Sequence, residues 1–580
     1  MKRYLNITKN IVAVFFAAMG LCGCDLTLIP QDSLSPENYF QNETDLRLWT
    51  NAFYTMFDSS DCASQNADDV VDTSFPDYIQ GSRSPEVEGG WSWSKLRDIN
   101  YYLEHSSNCK DEAVRKHYDG LAYFFRAYFY SVKVRRYGDV PWYDTTIGST
   151  DEDLLNKARD SREYVMQKVM HDFDMAIEAL PTSKDVARVT KWAALAFKSR
   201  AALYEGTFRK YHGMEDYEKY LEIAASAAKE VIDNGGYSLR TSGDEPYRTL
   251  FNSDMADEKE VILARIYNDA IQIPNGIPHE LTNHHSGVTK RMMNHYLTSK
   301  GEFFSSVPGY DKMTYAEETQ NRDPRMAQTI LCPGHMVTGA TTKSVNLLSS
   351  STGYQVIKFY SDAAHNTGQG NADFPLIRIA EVYLNYAEAK AELGNINQED
   401  LNISVNKLRG RVGLPPLSLN DANSTKDPLM VAYYPNVTKS KNTGVILEIR
   451  RERTVELVYE GRRLWDMLRW KEGAQIVNQE SPYYGCYFPG TGVYDMDNDG
   501  VNDLEIYSDT PASTLPVRFK LGEGLVLSEE TSGYIVAFSD IELTWNEERD
   551  YLWPIPSDQR ILTGGVLSQN PGYNDNLSFE

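Results

Sequence analysis

Cysteine is scarce, with six in 580 residues, and no two stand in the C-x-x-C spacing that zinc fingers and redox motifs use. Positive charge is also short. Fifty-eight Lys and Arg face 82 Asp and Glu, a net charge of −24. That excludes a sequence-independent grip on nucleic-acid phosphates and makes anionic lipid surfaces poor partners. Neither G-x-x-x-x-G-K-[ST] nor G-x-G-x-x-G occurs, and G-x-S-x-G is missing, so P-loop, dinucleotide and hydrolase-elbow chemistry lack their mechanical parts. Beyond the first 21 residues no apolar run approaches 18, too little for a spanning helix. What remains is ordinary globular composition: 41% hydrophobic, 24% charged, 38 Gly and 24 Pro. This argues against collagen, coiled coil or wholesale disorder, and the length suits about four domains or one large body. The aromatic excess lies in 38 Tyr, against 21 Phe and 9 Trp, a side chain suited to wet recognition surfaces as well as cores.

Lys2, Arg3 and Lys9 precede an apolar run from Ile11 to Leu21, the right length for the core of a secretory signal. Leu21-Cys22-Gly23-Cys24 then resembles a bacterial lipobox. We expect residues 1–23 to be removed and Cys24 to carry the lipid, leaving residues 24–580 as one body anchored at its N-terminus. The remaining Cys62, Cys109, Cys332 and Cys486 leave a disulfide open, with connectivity undetermined.

Apolar residues recur at helical spacing over 120–137, where Leu121, Phe124, Phe125, Tyr128 and Val132 share a face before Gly138 and Pro141. Asp160 with Glu163 forms a capping-box pattern ahead of a second helix that Pro181 closes. Segments 188–206, 216–234, 376–393, 399–412 and 444–471 read likewise. Several come as consecutive pairs rich in Ala, Gly and Tyr, a pattern of stacked hairpins like tetratricopeptide repeats without a clean 34-residue period. The fold class is mostly α. The helical scaffold lies mainly at 95–235 and 375–471, and loop-rich insertions with short β-prone runs such as Glu260–Leu263 occupy 240–375 and 475–550.

Three constellations bear on chemistry. His279-Glu280 followed by His284 has its second histidine at i+5 rather than the i+4 of a zincin helix, so His284, His285 and His295 read as solvent-facing loop residues. Gly89-Gly90-Trp91-Ser92-Trp93 puts two indoles two residues apart. In an extended chain both face one way, as a platform for the apolar C–H faces of a sugar, with Asp72, Phe75, Tyr78 and Arg83 in the preceding loop. The structural alternative is that either Trp plugs the core ahead of a helix starting near Lys95. Finally, Asp495, Asp497, Asp499 and Asp503, with Gly500 at position six, have the spacing of a calcium loop, and the Val501 carbonyl would supply the seventh-position ligand. Position twelve is Ile506, so a complete EF-hand is not present. A structural calcium fastening an insertion is the expected role, against an Asx-rich turn that binds nothing.

Seven blocks run in order and together resemble the SusD/RagB family, the lipid-anchored nutrient-binding proteins of Gram-negative outer membranes. They are Gly120–Trp142, Thr190–Gly206, Asn321–Arg325, Pro375–Gly394, Leu408–Pro415, Ile449–Trp470 and Tyr551–Tyr573. The resemblance implies a SusD-like fold built on four tetratricopeptide-like hairpins with loops and small strands around it. It implies a surface-exposed outer-membrane protein that captures oligosaccharide or polysaccharide and covers a SusC-like TonB-dependent transporter as its lid. It also implies no catalysis, with the Glu448–Arg463 charges forming a partly solvated ion network. Starch-binding members use an arc of aromatics, for which Trp91 and Trp93 are the candidates here, with Tyr310 from region 284–315. A RagB-like lid for peptides is the alternative, and a surface glycosidase the third reading.

Overall fold

The computed structural model describes residues 39–57, 67–73, 76–87, 89–335, 347–360, 370–477, 483–575 and 577–579. Cys24, Cys62 and Phe75 lie outside them. The longer helices are α1 (Glu43–Asn51), α2 (Ser94–His105), α3 (Glu112–Tyr137), α4 (Arg162–Ala179), α5 (Lys191–Tyr211), α6 (Tyr217–Asn234), α7 (Ile379–Glu392), α8 (Thr443–Glu456) and α9 (Arg463–Arg469). Shorter helical turns lie between them. Among the described residues no helix is long and apolar enough to cross a membrane.

Local chemistry sets the helix ends. The Asp111 carboxylate accepts from the amides of Ala113 and Val114 to start α3, and Gly138 follows its last residue. The α4 cap is Ser161, whose hydroxyl accepts from Tyr164 N. The expected cap, Asp160, instead accepts from Trp142 N at 2.7 Å, tying the preceding turn to the helix. Helices α3 and α4 pack as one hairpin and α5 and α6 as a second, while α7 packs on α6 and α8. A Cβ on Gly120 would stand 2.7 Å from the Ala179 Cβ, so the first hairpin closes only because α3 has no side chain there. The 399–412 segment breaks into Gln398–Asn402 and Val405–Arg411, and 444–471 breaks into α8 and α9.

The strands form four small sheets among the described residues. Val261–Arg265 pairs antiparallel with Phe374–Arg378, leading directly into α7. Val70–Val71 pairs with Gly287–Val288, and Tyr484–Phe488 with Gly533–Val536. Leu504–Tyr507 sits between Gly492–Tyr494 (antiparallel) and Val517–Lys520 (parallel). The insertions are more than decoration. Residues from 247–374 and 486–535 bury a hydrophobic core of their own, joined by Val70 and by Val455, Val458 and Tyr459 at the end of α8. The helical hairpins bury the other, larger core.

Helix α8 stands between the two cores, and every residue of it is buried. Its charges form the ion network that the resemblance implies, but a buried one rather than a partly solvated one. The Glu456 carboxylate meets Arg325 at 3.1 Å, Arg378 at 2.6 Å and Arg411 at 2.6 Å. Glu452 pairs with Arg325 at 3.0 Å and with Arg409. Arg451 pairs with Asp427 and Arg453 with Asp466. The partners come from segments far apart in the chain, so the network fixes how the insertions sit on the hairpins. Such buried charges persist only when paired and hydrogen-bonded.

Candidate functional site

The segment before α2 is pinned to α3. The Tyr137 hydroxyl donates to Gly89 O at 2.7 Å, and Lys133 Nζ donates to Gly90 O. Gly90 has φ +86°, and a Cβ on it would lie 2.9 Å from Arg136 Nη1 and from the Tyr137 hydroxyl, so only glycine fits. Trp93 at φ −115°, ψ 4° is not extended but forms the turn that opens α2. The two indoles consequently do not face one way. Their centroids are 5.3 Å apart at 80°, a corner rather than a flat platform. Trp91 is 7% exposed and packs edge-on against Tyr137 at 4.8 Å. Half-buried Trp93 contacts Phe129 and Tyr143, each at 5.6 Å.

Both tryptophans line a cleft of about 440 Å³, with Tyr143 beside them and Gln559, Thr563 and Leu567 from the C-terminal segment. Exposed Arg97 and Ser94 stand among its polar groups. Asn100 Nδ2 donates to the carbonyls of Tyr143 and Thr145, both at 3.1 Å, and holds that wall. Lys157 Nζ donates to Trp142 O at 2.7 Å and pairs with Asp160 at 2.7 Å. An aromatic wall with a few convergent polar groups suits the alternating C–H faces and hydroxyl edges of a saccharide. Sequence reasoning missed Tyr143, Lys157 and the C-terminal wall. Tyr143 follows directly on the Gly120–Trp142 block, but nothing in the chain signals that residues 559–567 fold back here.

The other anticipated residues are not brought to this cleft. Asp72, Tyr78 and Arg83 are buried. Arg83 Nη2 donates to Asp550 O at 2.7 Å, and its guanidinium lies 4.5 Å from the Trp553 ring centroid, so this part of the loop is core. Half-buried Tyr310 belongs to another surface, edge-on to Phe304 at 5.9 Å. Tyr484 and Tyr534 stack there at 5.2 Å, and the Tyr534 hydroxyl donates to Asp311 O. His295 is buried rather than solvent-facing, hydrogen-bonded to Arg291 O and the Tyr434 hydroxyl. His284 caps the short helix Ile277–Asn283. Cys109, Cys332 and Cys486 are buried and unpaired.

In the acidic loop, oxygens of Asp495, Asp497 and Asp503 lie within 4.8 Å of one another. Asp499 does not join them; its Oδ1 accepts from Val501 N at 2.7 Å, as the local Asx turn dictates. Glu505, one place before the twelfth loop position, points elsewhere, accepting from the amides of Ala512 and Ser513. Burial and the neighbouring Asp499 and Asp495 push the Asp497 carboxyl up, repulsion that a bound cation would relieve.

Lys133 gives the tryptophan corner a titratable neighbour. Its Nζ lies 5.3 Å from the Trp93 ring and 5.2 Å from Phe129, and among the described residues no carboxylate is within ion-pair distance. Burial, then repulsion from Arg136, pushes it down to about 7. The unfolded chain thus holds a proton that the folded one lacks between about pH 7 and 10.5, and stability from this group rises with pH across that window. A tryptophan fluorescence transition near pH 7 is expected, and Lys133→Met should remove it. Its persistence in that variant would contradict the assignment.

Residues 249–573 match the sequence profile described as the SusD family, and residues 91–203 match one described as "Starch-binding associating with outer membrane". The chain is 24% identical to SusD-like protein P2 of Formosa agariphila, over 97% of this chain and 100% of that one. It is 25% identical to a SusD-like protein of Bacteroides ovatus over 59% of this chain and 57% of that one. Among solved structures, a SusD-like protein from Bacteroides fragilis superimposes with a TM-score of 0.68 at 23% identity, covering 94% of this chain and 100% of that one. A SusD-like carbohydrate binding protein from the same species gives a TM-score of 0.68 at 19% identity, covering 90% and 98%. The first profile alone spans more than half of the sequence, from the 249–374 insertion through α7, the α8 network and the C-terminal segment, and the chain belongs to the SusD family.

Proposed function

We propose that this protein is a non-enzymatic, cell-surface glycan-binding lipoprotein. It captures oligosaccharide or polysaccharide and delivers it to a SusC-like TonB-dependent transporter, over which it sits as a lid. The observation that carries the glycan reading is the cleft where Trp91, Trp93 and Tyr143 meet exposed polar side chains. The profile over residues 91–203, described as starch-binding, covers its lining residues from Trp91 to Lys157. In this reading Cys24 carries the lipid and residues 24–580 form one body outside the outer membrane; the location rests on the profile's description, which names association with the outer membrane and no more.

Calorimetric titration of residues 25–580 against plant, microbial and host polysaccharides and peptide pools tests the reading. Saturable binding to one glycan class without new reducing ends is expected. Peptide binding alone would replace the ligand with that of a RagB-like lid, and release of shorter sugars would make the protein a glycosidase.

The loop at Asp495, Asp497 and Asp503 is proposed to hold calcium, completed by backbone oxygen and water. Calcium prefers six to eight oxygen ligands. Adding millimolar calcium to chelator-treated protein should raise the melting temperature, and Asp497→Asn with Asp503→Asn should abolish the rise. An unchanged melting temperature in the wild type would leave the loop an Asx turn.

A further inference from the structure

A second cavity lies among α3, α4, α5 and α9 and shares no lining residue with the tryptophan cleft. Its volume is about 90 Å³, room for several waters or one small polyatomic ion but not for a glycan chain. Among the described residues Arg135, Arg162, Arg200, Arg453, Arg462 and Arg469 line it together with three carboxylates, Glu205, Glu460 and Asp466.

Those carboxylates are already engaged. Glu205 pairs with Arg162 at 2.8 Å and Arg209 at 2.6 Å. Glu460 pairs with Lys358 at 2.8 Å and Arg378 at 2.7 Å, both outside the cavity. Asp466 pairs with Arg453 at 2.8 Å and Arg469 at 2.9 Å. Arg200 is held by Glu381 at 2.6 Å. Arg462 differs. Its Nε donates to a backbone oxygen, that of Glu460, at 2.8 Å, and among the described residues no carboxylate lies within ion-pair distance of it. Burial first, then the charge of Arg200 and less that of Arg135, push Arg462 down to about 10 against the opposing pull of Glu381, a carboxylate that Arg200 already holds.

Two buried polar groups on lining residues also lack a partner among the described residues. Arg162 is 4% exposed, and its Nη1 has no hydrogen-bond acceptor. The Tyr204 hydroxyl is buried and makes no hydrogen bond. Buried donors without acceptors are rare in native folds and call for an explanation. Arg135 stacks on Trp465, 3.9 Å from the ring centroid, which fixes another guanidinium at the wall.

The geometry points to an oxyanion site in this cavity, one that takes a sulfate, phosphate or carboxylate group between Arg462, Arg162 and the Tyr204 hydroxyl. Guanidinium groups suit such a ligand through paired, charge-assisted hydrogen bonds. The group comes either as a free ion or as the anionic substituent of a saccharide.

Calorimetric titration of residues 25–580 at fixed ionic strength tests this, with sulfate, phosphate, glucuronate and a sulfated monosaccharide against chloride. One saturable site is expected for at least one oxyanion. Tyr204→Phe, which removes a single oxygen, should weaken it about fivefold, and Arg462→Gln about tenfold or more. Tighter binding of the sugar acids identifies a substituent, and tighter binding of the inorganic ions a free ion; either upholds the site. Trp93→Ala should leave oxyanion affinity unchanged, which separates this site from the glycan cleft. No saturable oxyanion binding above chloride, or wild-type affinity in Tyr204→Phe and Arg462→Gln, would overturn the assignment. Should Arg462→Gln not fold, Tyr204→Phe decides.

Discussion

Replacing Glu456 by Ala is expected to destabilise the fold by about 3–5 kcal/mol, the cost of stranding buried charges when one member of a pair is removed. Three guanidinium groups, of Arg325, Arg378 and Arg411, converge on this one carboxylate at 2.6–3.1 Å. Burial alone would raise its pKa. Arg411, Arg378 and Arg325 outweigh burial and hold it well below the usual carboxylate range. Glu456→Gln keeps the shape and two polar atoms but not the charge, so its loss should be nearly as large. A shift in the urea midpoint at unchanged slope is the measurement. A cost under about 1 kcal/mol for Glu456→Ala would mean that the network is water-screened, as exposed ion pairs are.

The second large effect concerns ligand. Trp93→Ala is expected to weaken glycan binding at least tenfold, about 1.4 kcal/mol, since buried aromatic anchors dominate recognition energetics. Trp93 is the cleaner probe because it is half-exposed, whereas Trp91 is nearly buried against Tyr137. Trp91→Ala should cost about 3–5 kcal/mol of stability as a large-to-small core change, and lost binding there would be hard to read. Trp93→Phe should retain part of the affinity. Wild-type affinity in Trp93→Ala, with an unchanged circular dichroism spectrum, would move the site to the surface around Tyr310.

The contrast between these two residues shows what a sequence carries. The amphipathic face of α3 was readable because Leu121, Phe124, Phe125 and Tyr128 repeat at helical spacing, and local periodicity needs no partner to be seen. The capping choice between Asp160 and Ser161 was not, because both side chains can cap and the decision lies with Trp142 N, 18 residues away. The resemblance made the Glu448–Arg463 run a partly solvated ion network, and its burial is what the sequence did not show. Its partners at Arg325, Arg378, Arg409, Arg411 and Asp427 come from other segments, and only the tertiary fold supplies them. The same holds at the cleft. Gly89–Trp93 stood out locally, but the turn at Trp93 and the return of residues 559–567 are tertiary facts. Asp72, Tyr78 and Arg83 looked like binding groups by type, and burial against the C-terminal segment is what the sequence did not show.

The most direct test is the structure of residues 25–580 with the tightest-binding oligosaccharide from the titration panel. A sugar ring is expected in the cleft against Trp93 and Tyr143, with hydroxyl groups reaching Arg97 or Lys157. Sugar bound only elsewhere, with this cleft empty, would contradict it.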